Sequence, residues 1–372
     1  MSVLNSNVYA IPFNDLTNGQ TTQEYKEIFE RVFNSGRFIL GPEVERFENA
    51  WANYCWTKHC VSVANGTEAI TLALHAIGIG QGDLVLTVGN SAPPTVTAIR
   101  RAGCLIRYTE IDDNGLMDLE YIRTNPDILS NVKAVVPVDL YGKRINAHSL
   151  QDIIKGTGIV IIEDAAQAHG SMSSSRAPGA DVYAACFSFY PTKNLGCFGD
   201  GGAIVTNDSD LAFKLRSLRH YGLVSFYQNT HGFNSRLDEL QAAFLTHKLS
   251  FLDRSNHFRL QVAKLYCELL NDLDVITLPN ISVEDNCHLF TIKVADREAL
   301  RNHLTKKGIQ TAVHYPIPSY LQKSEIELSG VRFQLKKTEK HCRTIMSLPM
   351  WYGISDDSVK LVAKEIKNFY GV

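Results

Sequence analysis

A chain of 372 residues is too long for one small core and points to two or three lobes. Its 45% hydrophobic and 20% charged content is that of a globular protein, and a formal net charge of −2 gives no reason to expect nucleic acid or an anionic membrane as partner. No uninterrupted apolar run is long enough for a transmembrane helix, and the polar stretch Met1 to Pro12 lacks a signal-peptide core. The eight cysteines are scattered without a CxxC, which reads as reduced thiols in a cytoplasm. Cys55 and Cys60 are the closest pair, but no His/Cys cluster accompanies them, so no metal site is expected.

In chain order, Glu24 to Phe33 has helical apolar spacing, as does Glu43 to Trp51 after the helix-starting Gly41-Pro42. Cys60 to Ala64 reads as a strand and Thr67 to Ala76 as an amphipathic helix ending before Gly78. Asp83 to Val88, Val132 to Val138 and the almost wholly apolar Ile159 to Ile162 are further strands, the last buried on both faces. Cys186 to Phe189 and Gly202 to Thr206 are short strands. This alternation predicts an α/β fold with a mostly parallel central sheet covered by helices. After about residue 250 the pattern changes. A long helix over Phe251 to Leu270 is followed by a strand at His288 to Val294 and a helix at Arg297 to Lys307. A strand at Gln310 to His314 and a last helix at Asp356 to Phe369 complete the chain. The expected division is a large domain over residues 1–250, including the N-terminal segment, and a small α+β domain over 251–372. Clefts between such lobes are common ligand sites.

Asp164 ends the buried run Ile159 to Glu163, at the carboxyl end of a central strand where open sheets bind ligands. It reads equally as a helix N-cap. Lys193 follows a short strand and a turn with Pro191, among aromatic and small residues rather than other charges. A lone lysine in a turn is usually solvated, but burial would favour the neutral amine that a Schiff-base nucleophile requires. Asn65-Gly66-Thr67 joins a strand to a helix, whose N-terminus can bind phosphate. The same residues also read as a plain capping box from Asn65 to Glu68. Ser188 could add a hydroxyl.

A pyridoxal 5'-phosphate (PLP) cofactor needs an amine for its aldehyde, an acid for its pyridine nitrogen, a phosphate cradle and a dry cleft. The order Gly-Thr, Asp, Ser, Lys matches those needs. The glycines from Gly196 to Gly202 lead into a strand rather than opening a helix, so they are read as turns and not as a dinucleotide fingerprint.

Seven stretches carry a resemblance over nearly the whole chain. They are Ser35-Gly-Arg-Phe-Ile-Leu-Gly-Pro-Glu-Val, Val63-Ala-Asn-Gly-Thr-Glu-Ala-Ile, Ile162-Glu-Asp-Ala-Ala-Gln-Ala-His-Gly, Phe187-Ser-Phe-Tyr-Pro-Thr-Lys-Asn-Leu-Gly, Gly199-Asp-Gly-Gly-Ala, Asn234-Ser-Arg-Leu-Asp-Glu-Leu-Gln-Ala-Ala and His314-Tyr-Pro. With them the chain resembles the DegT/DnrJ/EryC1/StrS family of PLP-dependent nucleotide-sugar aminotransferases. The resemblance implies the aspartate aminotransferase-like fold (fold type I) and a homodimer with active sites shared across its interface. It implies Lys193 as the Schiff-base lysine, Asp164 as partner of the pyridinium and Gln167 near the ring. Gly66, Thr67 and Ser188 would hold the phosphate, Asn234 would reach the phosphate in the neighbouring subunit, and Phe38, His314 and Tyr315 would lie near the sugar.

In Val88-Gly-Asn-Ser-Ala-Pro-Pro-Thr, many family members carry an aromatic where this chain has Ala92. Alanine there resembles the subgroup acting on dTDP-linked 3-keto-6-deoxyhexoses. The resemblance therefore implies transfer from glutamate to C3 of such a sugar, in deoxyaminosugar biosynthesis for lipopolysaccharide O-antigen, S-layer or antibiotic. Pro93 or Pro94 filling the gap would be a plainer meaning of Ala92, and a C4 aminotransferase is the alternative reading. The sugar dehydratases of the family have histidine in place of Lys193, which argues against that activity. A regulatory protein without turnover would lack a catalytic group, and none is missing. His169 and His220 are read as satisfied polar residues at a domain seam.

Overall fold

The computed structural model of the protein describes residues 9–17, 22–329 and 333–372; Met1 to Val8 of the polar opening stretch lie outside them. Short runs of β-branched and small apolar residues between turns form the central sheet. Its strands are β1 (His59–Val63), β2 (Leu84–Val88), β3 (Leu105–Thr109), β4 (Val132–Val136), β5 (Val160–Asp164), β6 (Ala184–Ser188) and β7 (Gly202–Thr206). They are ordered β1-β7-β6-β5-β4-β2-β3. The run from β6 through β5, β4 and β2 to β3 is parallel, whereas β7 is antiparallel to both β6 and β1. β7 is buried throughout and β1, β2 and β5 nearly so, as expected for strands covered on both faces.

Alternation along each strand sends side chains to opposite faces. One face packs Val63, Val85, Val136, Ile162 and Ile204 against α3 (Gly66–Ala76) and α4 (Pro93–Arg101). The other packs Phe187, Ala203 and Val205 against Phe47 and Trp51 of α2 (Pro42–Tyr54), which follows α1 (Thr22–Ser35). The same alternation puts Asp164 on the face of Ile162 and Glu163 on the opposite one. There Glu163 and Asp139 accept from buried Arg144, whose Nε lies 3.1 Å and 3.2 Å from them.

Beyond the 19-residue helix Leu252–Leu270, a three-stranded antiparallel sheet forms from Ile276–Thr277, Phe290–Val294 and Ile345–Leu348. Its core takes in the helices Arg297–Lys306 and Asp356–Tyr370. The strand expected at Gln310 to His314 is not formed. That stretch makes one isolated bridge, Ala312 with Ser347, and the preceding Ile309 bridges Ile11, so the neighbour changes from the N-terminal segment to the strand Ile345–Leu348 within three residues. Among the described residues no helix is long and apolar enough to cross a membrane, and no group of three or more His, Cys, Asp or Glu could hold a metal ion. All eight cysteines are free.

Candidate active site

Four strand ends meet where the sequence placed the chemistry. Ser188 of β6 pairs with Gly202 of β7, Gly202 with Val63 of β1, and Asp164 of β5 with Cys186 of β6. Gly66 opens α3 against this row. A Cβ on Gly66 would lie 2.7 Å from the Ser188 Cβ, and one on Gly202 would lie 2.4 Å from the carbonyl of Asn65. Only glycine fits at either position, so the helix N-terminus, Ser188 and the sheet end are pressed together. Asn65 caps the helix by accepting from the Glu68 N–H at 2.9 Å. The reciprocal half of a capping box is absent, since one buried oxygen of Glu68 has no partner among the described residues. A helix N-terminus with a hydroxyl beside it is a suitable phosphate cradle.

Asp164 is buried, and its Oδ2 accepts from the Thr95 hydroxyl at 2.6 Å while Oδ1 accepts from the Ala166 N–H at 3.2 Å. Burial raises its carboxyl above the ordinary value, against the pull of those hydrogen bonds and of Lys193. Thr95 sits in the first turn of α4, whose N-cap is Ala92, so Ala92 and the hydroxyl on Asp164 share one turn. Pro93 and Pro94 are exposed in the chain. The Lys193 amide donates to Tyr190 O at 2.9 Å in the turn after β6. Burial lowers its amine to about 8, and the charge of Asp164 opposes the fall. A desolvated amine beside a carboxylate is what a carbonyl-capturing lysine needs.

Lys248 is a physical rival, and nothing in its sequence context marked it. Burial takes its amine to about 8 as well. It shares with Lys193 the wall of a cavity of about 310 Å³. Its Nζ, however, donates to Gly196 O at 2.8 Å and stands 4.0 Å over the Phe198 ring. Among the described residues no carboxylate acts on its amine as Asp164 acts on that of Lys193.

Gln167 is buried, accepts from the Tyr141 N–H at 2.8 Å and donates to the Tyr315 hydroxyl at 3.3 Å. His314 is held through Nδ1 by Ser347 at 2.8 Å, and burial with the Lys193 charge lowers it to about 4, so its ring is neutral. Lys193, Asp164, Gln167, His314 and Tyr315 thus form one electrostatically linked group. Phe38 and Asn234 do not join it within one chain. Both are exposed, and among the described residues no hydrogen bond or ring contact ties either side chain to it. The Phe38 carbonyl accepts from Glu239 N–H, and Asn234 bridges His220.

His169 is wholly buried among Trp51, Phe187 and Phe189, and burial lowers it to about 3. Both its ring nitrogens are buried without a hydrogen-bond partner among the described residues, so the satisfied polar residue expected there is not found; aromatic rings surround it instead. His220 is paired with Arg236 at 3.3 Å. Residues the sequence reading missed are Thr95, Tyr141 and the set around Asn194. Asn194 donates to Asn256 at 2.8 Å and to Asn286 O at 3.0 Å, and meets His288 Nδ1 at 2.8 Å, which fixes the residue next to Lys193.

A lysine in the turn after β6 and a carboxylate at the end of the neighbouring β5, with a glycine-opened helix beside them, define a PLP-dependent transferase of the aspartate aminotransferase-like class. The chain belongs to the DegT/DnrJ/EryC1/StrS aminotransferase family, whose model matches residues 20–367. It is 40% identical over 367 residues to the dTDP-3-amino-3,6-dideoxy-alpha-D-galactopyranose transaminase of Aneurinibacillus thermoaerophilus, covering 97% of this chain and 99% of that one. It is 39% identical over 346 residues to the dTDP-3-amino-3,4,6-trideoxy-alpha-D-glucose transaminase of Streptomyces venezuelae, covering 91% of each. The crystal structure of S. venezuelae DesV with a ketimine intermediate superposes with a TM-score of 0.92 at 37% identity, covering 96% of this chain and 98% of that one. The chain is an aminotransferase and PLP is its cofactor.

Proposed function

We propose that the protein moves an amino group from glutamate to C3 of a dTDP-linked 3-keto-6-deoxyhexose, as a homodimer with shared sites. The observation that carries the chemistry is the desolvated Lys193 amine beside Asp164 at the sheet's strand ends. Bound PLP supplies the electron sink. Asp164 keeps the pyridine nitrogen protonated, with Thr95 steadying its charged form. The α3 amides at Gly66 and Thr67 with Ser188 hold the phosphate, joined by Asn234 from the partner subunit. Gln167 would lie near the ring. The Lys193 Nζ would take the proton from the α-carbon of the amino donor and, in the second half-reaction, deliver one to C3 of the sugar. Phe38 from the exposed segment, with His314 and Tyr315, orients the sugar.

The sugar assignment is supported by the relatives that act on 3-amino sugars and by Ala92. A methyl in place of an aromatic gives up a stacking contact worth about 0.5–1.5 kcal/mol and leaves room on the ring face for a differently placed sugar. Reaction then depends on which carbon reaches attack distance. Exposed Phe38 and Asn234 fit a site completed by a second copy, and the eight free cysteines fit a cytoplasmic setting. The test is product NMR after separate incubation of dTDP-linked 3-keto and 4-keto 6-deoxyhexoses with glutamate. A 3-amino sugar is expected. Preferential formation of a 4-amino product would overturn the C3 assignment while leaving the aminotransferase intact.

A further inference from the structure

Tyr141 takes part in none of the chemistry above, yet it stands in a costly conformation. It is buried, with a left-handed φ of 63°, and is followed by Gly142 at φ 99°. A bulky residue in that region is an outlier that the surroundings must hold in place. Here they do. A Cβ on Gly142 would lie 2.2 Å from Asn286 Oδ1, and the Asn286 N–H donates to Gly142 O at 3.1 Å. The Asn286 amide also donates to the Gln167 carbonyl at 3.0 Å.

The strained corner aims two groups of Tyr141 in different directions. Its N–H donates to Gln167 Oε1 at 2.8 Å. A main-chain N–H can only donate, so the orientation of the Gln167 amide is fixed, and its NH₂ faces the Tyr315 hydroxyl at 3.3 Å. With that hydroxyl oxygen accepting, the Tyr315 O–H proton is left to point elsewhere. The Tyr141 side chain crosses to the smaller lobe, where its hydroxyl donates to the carbonyl of His314. The same oxygen is met by Asn90 Nδ2 at 3.3 Å and by His341 Nε2 at 3.0 Å. The bonds form a circuit running from Tyr141 N–H through Gln167 and Tyr315 to His314, and back to the Tyr141 hydroxyl.

We infer that Tyr141 is a positioning residue for the sugar substrate: it locks Gln167 against Tyr315 and holds the His314-Tyr315 pair of the smaller lobe in register with the cofactor side. The inference rests on the proposed placement of His314 and Tyr315 beside the sugar. It assigns the Tyr315 hydroxyl as a hydrogen-bond donor toward a sugar oxygen, and it gives Tyr141 no contact with substrate. Groups that make one bonded circuit lose their effect together when any link is cut.

The test uses the PLP-loaded enzyme with Tyr141→Phe, which keeps the ring and the main-chain N–H and removes the hydroxyl, with its bonds to the His314 carbonyl, Asn90 and His341. Tyr315→Phe, which cuts the other side, and the double variant complete the set. Two quantities are read: kcat/KM for the dTDP-linked 3-keto-6-deoxyhexose and for glutamate, and the calorimetric affinity for dTDP-glucose, which cannot react. Expected for Tyr141→Phe is a fall of about tenfold in kcat/KM for the sugar, with a matching loss of dTDP-glucose affinity. The glutamate value should change much less, and the double variant should be little worse than Tyr315→Phe. An equal fall for both substrates would overturn the inference, since it would mean general loosening of the fold. So would additive effects in the double variant, or no effect on dTDP-glucose binding. Failure of the wild-type enzyme to aminate the sugar at all is a different result, because it removes the proposed substrate instead.

Discussion

Replacing Thr95 with Val removes one hydroxyl and leaves the shape of the side chain. In the native protein that hydroxyl donates to Asp164 Oδ2 at 2.6 Å, and the Ser91 hydroxyl stands 2.5 Å from it. The pair forms a short relay, Ser91 to Thr95 to Asp164, inside the turn that carries Ala92. A hydrogen bond to a charged group is worth about 1.5–3 kcal/mol, and one pKa unit is about 1.4 kcal/mol. Losing the bond should therefore raise the Asp164 carboxyl further above its ordinary value. Burial already holds that pKa above its ordinary value. The added rise brings protonation toward neutral pH, and a protonated Asp164 cannot balance the charge of the pyridinium. PLP affinity of the apoprotein, titrated by absorbance across a pH series, should weaken on the acid side in Thr95→Val and recover as pH rises. Thr95→Ser should restore the native profile. After the substitution, Ser91 can turn to the Ala92 carbonyl, 3.2 Å away, so no buried hydroxyl is stranded. A Thr95→Val profile parallel to the native one would refute the assignment of Thr95 as the group that keeps Asp164 ionised.

Three further outcomes are expected. The Lys193 amine lies near 8, so it is protonated below that pH and unreactive toward an aldehyde. The rate of PLP capture by the apoprotein should climb roughly tenfold per pH unit below 8 and level off above, in stopped-flow absorbance. Mixing Lys193→Ala with Asn234→Ala subunits should give activity above either parent, because each mixed dimer holds one site with both defects and one with neither. No gain after verified exchange of subunits would count against sharing. Glu239 accepts from the N–H groups of Gly41, Glu43 and Val44 at 2.8–2.9 Å, so its carboxylate tethers the start of α2. Glu239→Ala should cost about 2–4 kcal/mol and lower the thermal midpoint, since three helix-start amides lose their acceptor.

Features carried by local chemistry were legible in the sequence, and those made by distant contacts were not. The strands bearing Asp164 and Ser188 showed as short apolar runs, and Gly202 to Thr206 falls on β7 to the residue. β3 was missed because it is an edge strand in which Arg107 and an exposed Leu105 blur the alternation. α4 was missed because Pro93-Pro94 reads as a breaker, although proline is well suited to a helix start. Lys193, Asp164 and Gly66 could be named from residue type, order and family resemblance. Thr95 could not, for it lies 69 residues from Asp164. Tyr141 and Gln167 are 26 residues apart, and Asn194 and His288 are 94 apart. No periodicity encodes such pairs; only the packing of elements distant in sequence brings them together.

The central claim is that Lys193, and not Lys248, whose amine burial also lowers to about 8, holds the cofactor. Borohydride reduction of the PLP-loaded protein, followed by proteolysis and mass spectrometry, tests it directly. The expected result is a single phosphopyridoxyl group on the peptide containing Lys193, lost in Lys193→Ala and retained in Lys248→Met. A label on Lys248, or one that persists in Lys193→Ala, would contradict it.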